Sequence, residues 1–109
     1  MEDANALAGL DPMHPGELLR EEILPAIGLN EIEMAENLSL DETAVADVVH
    51  ERAPVTADMA LRLAKLCGNS PAFWLNLQRD YDLGRLAPAM ANELDAIPTL
   101  RDTTDESRR

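Results

Sequence analysis

Aromatic residues and cysteine are scarce in this chain of 109 residues, which contains one Phe, one Trp, one Tyr and one Cys. A single cysteine excludes an internal disulfide framework and is typical of a reducing compartment, so we expect a cytoplasmic protein. No apolar run reaches the roughly 18 residues needed to span a bilayer. The opening segment MEDANALAGLDPM also lacks the basic start and apolar centre of a signal peptide. The sequence therefore predicts no membrane partner.

Patterns typical of catalytic sites are missing as well. The two histidines, His14 and His50, are isolated, and no Cys/His cluster has metal-ligand spacing. The sequence also lacks a Gly-rich phosphate loop and a nucleophile elbow. We predict a protein that is not an enzyme and that uses no catalytic residue, no metal and no cofactor.

Positively charged residues are scarce as well. The chain contains 9 Lys and Arg and 21 Asp and Glu, which gives a net charge of −12. Such a chain repels the phosphate backbone on average, so any DNA contact has to come from a local basic patch. A basic protein partner would be complementary to this charge.

Helix start and stop signals, in contrast, are frequent, and no hairpin signal competes with them. One helix is predicted over residues 15–24, where Pro25 and Gly28 act as stop signals. Another is predicted over residues 89–97, after Gly84 loosens the chain. The fold class is therefore predicted to be all-α. Four side chains that favour the N-cap position precede apolar residues at helical spacing: Asn30, Asp41, Thr56 and Ser70.

All three aromatic residues lie in residues 56–83, which contain two predicted helices separated by Gly68. Trp74, Leu77 and Tyr81 share one face of the second helix. Because large rings bury the most apolar area, we expect this face to form the floor of the core.

Two blocks of the sequence resemble a known family. The segments HPGELLREEIL, from residue 14 to 24, and VTADMALRLAKLCGNSPAFWLNLQRDYDL, from residue 55 to 83, are similar to blocks of HigA-type (HigA/VapI) antitoxins, which are Xre/Cro-like helix-turn-helix proteins. The resemblance implies a five-helix helix-turn-helix domain over residues 14–87, with residues 30–37 as the positioning helix and residues 41–50 as the recognition helix. Residues 1–13 would form a flexible arm, and residues 88–109 a short extra C-terminal helix with a disordered tail.

The polar surface between the two blocks departs from the family pattern. From Asn30 to Glu51 the chain has seven acids and no Lys or Arg, and Ser39 stands where a turn glycine is expected. Serine takes a left-handed backbone only with some strain, and the acids should repel a nearby duplex. Arg62 and Lys65 could add phosphate contacts from the next helix. The residues placed toward DNA in this arrangement are Asn30, Asp41, Glu42, Thr43, Asp47, His50 and Arg52.

The resemblance implies an antitoxin that binds and neutralises a HigB-like toxin, a small basic RelE-type ribonuclease that cleaves mRNA. It also implies a homodimer that represses its own operon by binding operator DNA. Three hypotheses stay open: an antitoxin that retains operator binding, the same fold as an acidic protein-interaction module with DNA binding lost, and a DNA-binding regulator without a toxin. The dimer interface is predicted to use Trp74, Leu77, Met90, Leu94 and Ile97. The alternative for Trp74, and for the other four residues, is a place in the core of one subunit.

Overall fold

The computed structural model describes residues 12–100, and every regular element within this range is helical. Helix α1 covers residues 15–27 as three consecutive segments, Pro15–Leu18, the π-helical turn Leu19–Ile23, and Leu24–Ile27. The remaining helices are α2 (Glu31–Leu38), α3 (Glu42–Val49), α4 (Ala57–Cys67), α5 (Pro71–Ala89) and α6 (Ala91–Asp95). The predicted all-α class is confirmed. The predicted arm up to residue 11 and the tail from residue 101 lie outside the described residues.

The prediction that α1 ends near Leu24 is wrong, because the helix continues through Pro25. In a regular α-helix the ring of Pro25 would collide with the carbonyl of Glu21. The π-helical turn relieves this collision, since the N–H of Leu24 bonds to the carbonyl of Leu19, five residues back, and the helix widens just before the proline. Gly28 then ends α1 in the left-handed conformation, at φ 73°.

The core is formed by the inner faces of α1 to α5, and its largest fully buried side chain is Trp74. The indole Nε1 of Trp74 donates to Oδ1 of Asn69 at 2.9 Å, so burial leaves no polar atom of the ring without a partner. The floor predicted around Trp74 is thus present, with Leu77 packed against it as a partly buried side chain. The other fully buried large side chains are Leu19, Met34, Leu63, Val45, Val49 and Pro15.

The prediction that the chain loosens at Gly84 is wrong. Helix α5 continues through Gly84 and Pro88 and ends at Ala89. Pro12 packs directly on α5 at this glycine, because a Cβ at Gly84 would lie 2.6 Å from Cγ of Pro12. The predicted last helix over residues 89–97 is also wrong in its extent. Met90 breaks the helix at φ −104° and ψ 15°, and α6 is a single short piece, Ala91–Asp95.

The C-terminal part of the fold stands away from the core. Every residue from Leu83 to Leu100 is exposed, and the molecule measures 54 × 27 × 24 Å along its principal axes. Among the helices that the structure describes, none is long and apolar enough to cross a membrane.

Candidate nucleic-acid interface

Helix α2 begins with a capping box that fixes its N-terminus. Oδ1 of Asn30 accepts from the N–H of Glu33 at 2.8 Å, and Oε1 of Glu33 accepts from the N–H of Asn30 at 3.0 Å. Met34, Ala35 and Leu38 then bury the inner face of the helix. The amide nitrogen of the Asn30 side chain is left at the surface as a hydrogen-bond donor beside the start of α2.

The turn from α2 to α3 depends on Ser39, whose backbone is left-handed at φ 57° and ψ 45°, as its position predicts. The N–H of Leu40 reaches back to the carbonyl of Ala35 at 2.9 Å and closes the end of α2. Nη1 of Arg62, in α4, donates to the carbonyls of Leu38 at 2.7 Å and of Ser39 at 3.3 Å. Arg62 therefore caps the negative end of α2, while its contact with a phosphate stays a prediction.

A second arginine caps the end of α3. Nη1 of Arg20, in α1, donates to the carbonyl of Val49 at 2.7 Å, and its Nη2 donates to Oε2 of Glu51 at 3.1 Å. Hydrogen bonds to the carboxylates of Glu51 and Glu21 raise the pKa of Arg20. No local sequence pattern indicates this cap, because 29 residues separate Arg20 from Val49.

The start of α1 packs on the backbone of α3 without any space between them. A Cβ at Gly16 would lie 2.0 Å from the carbonyl oxygen of Val48, so only glycine allows this approach. The buried ring of His14 fixes the same point, since its Nδ1 accepts from the N–H of Gly16 at 2.8 Å and its edge meets Tyr81 at 4.9 Å between centroids. Helix α3 is consequently held by the start of α1, which is itself fixed on α5 through His14 and Tyr81, and its other side is left free.

That free side forms an open groove of ≈ 550 Å³ between the starts of α2 and α3. Its apolar part is Ile32, which is 52% exposed, together with Ala46. Although isoleucine is apolar, the side chain of Ile32 faces solvent, because the buried face of α2 consists of Met34, Ala35 and Leu38. The groove is lined by Asn30, Glu31, Ile32, Glu42, Thr43, Ala46 and Arg52.

Carboxylates already hold the two basic groups of this face. Nε of Arg52 donates to Oδ1 of Asp47 at 3.0 Å, and Nε2 of His50 lies 2.8 Å from Oε2 of Glu31. Asp41 occupies the N-cap position of α3, but its side chain makes no capping hydrogen bond, which corrects the prediction that it caps this helix. The face therefore presents acids that are not neutralised, with few donors between them.

Comparison with known proteins places this fold in a family, although no family model matches the sequence. The chain is 42% identical to virulence-associated protein I of Dichelobacter nodosus over 65% of its own length and 66% of that protein. It is 30% identical to antitoxin HigA-1 of Vibrio cholerae over 90% of its length and 92% of that protein.

Solved structures agree with these relatives. The antitoxin GraA in complex with its operator superimposes with a TM-score of 0.77 at 37% identity, over 84% of this chain and 93% of that chain. The antitoxin HigA of Pseudomonas aeruginosa with the higBA promoter gives a TM-score of 0.76 at 36% identity, over 82% and 98%. This chain belongs to the HigA-type antitoxin family. Its α2 and α3 are thus the helix-turn-helix of an Xre-like fold.

In this HigA-type chain the structure brings several of the residues predicted for DNA contact together. Asn30, Glu42, Thr43 and Arg52 all line the groove, and Asp47 reaches it through its ion pair with Arg52. Two of the remaining candidates lie apart from the groove lining, Asp41 at the start of α3 and His50 at its end. Prediction from the sequence did not place Glu31, Ile32 and Ala46 in this surface. Ala46 lies three residues after Thr43, and this helical spacing is a signal that would have included it.

The HigA-type fold separates the residues predicted for a dimer interface into two groups. Trp74 is 0% exposed, so it is a core residue and is wrong as an interface residue. Leu77 is partly buried against the same core. Met90, Leu94 and Ile97 are exposed on the projecting C-terminal part, where they stay candidates for an interface.

Proposed function

We propose that this chain is the antitoxin of a type II toxin–antitoxin pair, which neutralises a basic, mRNA-cleaving toxin of the RelE/HigB type in the cytoplasm. In this proposal the protein is a homodimer that also binds its own operator through α2 and α3. The observation that supports the proposal best is the shared fold, which covers 82% to 84% of this chain in antitoxins solved on a promoter or operator.

The net charge supports the toxin part of the proposal. A chain with 21 acids and 9 bases attracts a basic ribonuclease at long range, and this steering raises the association rate. The same charge opposes the approach of DNA. Neutralisation of a basic partner is therefore the activity that the electrostatics favour.

Operator binding in this proposal depends on a few donors in the groove. Thr43 and the amide nitrogen of Asn30 lie at the N-terminal ends of α3 and α2, where helix-turn-helix proteins contact bases and phosphates. Arg52 is exposed on the rim and is held only by Asp47. A phosphate would have to take Arg52 from this carboxylate, so we expect operator binding to be weaker, and less dependent on salt, than that of a basic helix-turn-helix protein that makes more phosphate contacts.

The ion pairs of this face favour a second candidate, in which DNA binding is lost and the fold acts as a protein-interaction module. Arg52 and His50, its two basic groups, both contact carboxylates. In that case the acidic surface would only help to attract the toxin.

Binding to the promoter fragment of the gene, measured by fluorescence anisotropy at about 50 and 200 mM salt, separates the two candidates. We expect specific binding that weakens as salt rises, with a shallow slope because few phosphates are contacted. Asp47→Lys should strengthen it and steepen the salt slope by about 0.9 for one added phosphate contact. Glu22→Lys, which makes the same change of charge at an exposed position of α1, is the matched control and should have a smaller effect. If a folded protein shows no specific binding at either salt concentration, the module without DNA binding is correct.

The toxin part is tested by expressing the open reading frame beside this gene. Its product should arrest growth and degrade mRNA, and co-expression of this chain should restore growth through a complex that purifies intact. Growth arrest that this chain does not relieve would contradict the antitoxin proposal, whatever the DNA measurement shows.

A further inference from the structure

The groove between the starts of α2 and α3 combines exposed apolar side chains with carboxylates. Ile32, which is 52% exposed, lines it together with Ala46. The carboxylates belong to Glu31 and Glu42. A protein partner that covers Ile32 gains binding energy, because apolar area leaves water, whereas a DNA phosphate gains nothing from this side chain. The groove therefore has a feature that phosphate contacts do not use.

The negative charge of the molecule is concentrated around this groove. Residues 30–51, which include α2 and α3, contain seven of the 21 acids and none of the 9 Lys and Arg, so they carry −7 of the net −12. Oε2 of Glu31 already lies 2.8 Å from Nε2 of His50. Glu42, in contrast, makes no ion pair within residues 12–100. A cationic group that enters the groove can consequently reach the carboxylate of Glu42.

A second apolar groove, between α2 and α4, has the opposite charge. Leu61, which is 61% exposed, lines it together with Arg62 and Lys65. The ammonium group of Lys65 has no carboxylate partner in the described part of the chain, so it repels a basic partner. Charge thus distinguishes the two grooves, and the one between α2 and α3 is the one that fits a basic protein.

We propose that the basic toxin of the proposed function docks in the groove between α2 and α3 and thereby excludes the operator. An arginine of the toxin matches the chemistry of the groove. Its apolar stem covers Ile32, and its guanidinium binds the carboxylate of Glu42.

DNA and toxin compete in this proposal, because Glu42 is adjacent in the chain to Thr43, the donor assigned to the operator. A toxin in excess displaces the chain from its operator. The inference rests on the proposed function, and it adds the docking site of the toxin and the consequence of docking for DNA binding.

The docking site is tested by the dissociation constant of the toxin. The probe is the product of the open reading frame beside this gene, purified with this chain and separated from it in denaturant. Glu42→Gln and Ile32→Ala should each weaken its binding by about tenfold, because one removes the carboxylate and the other most of the apolar contact. Glu22→Gln and Leu61→Ala are the matched controls at exposed positions of α1 and α4. They should stay within about twofold of the parent protein.

Glu42→Gln is the decisive variant, because DNA should respond to it in the opposite way. The substitution removes a negative charge beside the DNA-binding donors, so promoter binding should become stronger while toxin binding becomes weaker. A variant that has lost its structure would bind both partners more weakly. Circular dichroism checks in addition that the helices are formed.

The exclusion of DNA is tested by adding the toxin to this chain bound to labelled promoter DNA. The fluorescence anisotropy should fall to the value of free DNA. If it stays constant or rises, toxin and operator bind together and the exclusion is overturned. If the chain binds no promoter DNA, the exclusion is also wrong, and the dissociation constants alone decide the docking site.

The docking site is overturned if Glu42→Gln and Ile32→Ala bind the toxin as tightly as the parent protein. It is overturned as well if Leu61→Ala weakens binding as much as Ile32→Ala. In both cases the antitoxin proposal stands, because the toxin still binds elsewhere on the chain. A toxin that does not bind this chain at all contradicts the proposed function itself.

Discussion

Within residues 12–100, two residues other than glycine adopt a left-handed backbone, Ser39 at φ 57° and Glu51 at φ 63°. Each follows a helix of the helix-turn-helix, and each conformation costs roughly 1 to 2 kcal/mol for a residue with a Cβ. Tertiary contacts hold both in place. The carbonyl of Ser39 accepts from Arg62, and the carboxylate of Glu51 accepts from Arg20. The turn geometry on both sides of α3 is therefore set by other helices against the local preference.

Ser39→Gly should stabilise the protein. Glycine takes the left-handed conformation without a Cβ penalty, and only part of this gain is lost to the greater freedom of the unfolded chain. We expect the free energy of unfolding in urea to rise by about 0.5 to 1 kcal/mol. The reverse control is Gly28→Ser, at φ 73° with no atom within 4 Å of the added Cβ, which should lose a similar amount. Equal stability of Ser39→Gly and the parent protein would show that Arg62 already removes the strain.

His14 should make stability depend on pH. Burial disfavours the charged ring and lowers the pKa of His14 below its ordinary 6.5, against the opposing effects of Glu51 and Asp82. Below about pH 6.5 the unfolded chain takes up a proton that the folded chain does not accept until lower pH. The free energy of unfolding should therefore be highest above pH 6.5 and fall as the pH drops through that value.

His14→Asn isolates this effect, because asparagine also caps a helix but does not titrate. Urea unfolding at about pH 8, 7, 6 and 5 should show a shallower loss of stability for His14→Asn than for the parent protein. His50→Asn is the control and should retain the loss, since His50 is exposed. An unchanged pH profile in His14→Asn would mean that other groups, such as the carboxylates, determine it.

At the scale of the elements, α2 and α3 share an unusual way of ending. Neither has a basic residue in its last turn, where Lys or Arg would normally complement the helix dipole. Arginines from α4 and α1 supply this charge by hydrogen bonds to the last carbonyls. The helix-turn-helix thus obtains its C-caps from the helices that flank it, and this links the stability of the recognition helix to the packing of the whole domain.

Arg62→Met should destabilise the fold by about 1 to 2 kcal/mol, because it removes a charged donor from the end of α2 while keeping most of the apolar stem. The matched control is Lys65→Met on the same helix, which is exposed and makes no ion pair in the part that the structure describes. We expect Lys65→Met to stay within about 0.5 kcal/mol of the parent protein. A similar loss in both variants would indicate a general effect of charge instead of a cap.

At the scale of the whole molecule, the net charge of −12 dominates. Several acids of α1 and α2, including Glu22 and Glu36, are exposed and repel one another in the compact state more than in the unfolded chain. Added salt screens this repulsion over distances longer than the Debye length.

The free energy of unfolding should consequently rise as NaCl is increased from about 0.02 to 0.5 M. The measurement is urea unfolding at one fixed protein concentration, since the proposed dimerisation would add its own contribution to stability. Glu22→Gln with Glu36→Gln should flatten the salt dependence. A fall in stability with salt would show instead that ion pairs such as Asp47–Arg52 outweigh the repulsion.

The candidate site could be predicted in outline, because its residues follow from position along the helices. Asn30 and Thr43 lie at helix starts that N-cap signals mark, and this is enough to place them beside each other in a helix-turn-helix. The roles of Arg62 and Ile32 could not be predicted in this way. Whether an arginine meets a phosphate or a carbonyl, and whether an isoleucine faces core or solvent, depends on how the helices pack.

Patterns within a few residues were sufficient for the all-α class and for the starts of α2 to α5, since capping and apolar spacing act between neighbours in the chain. Packing alone decided the continuation of α1 through Pro25 by a π-helical turn and of α5 through Gly84 against Pro12. It also decided the approach of Gly16 to the backbone of Val48. These features join residues far apart in sequence or depend on space inside the fold. The contacts that stabilise these features form only when the helices pack together.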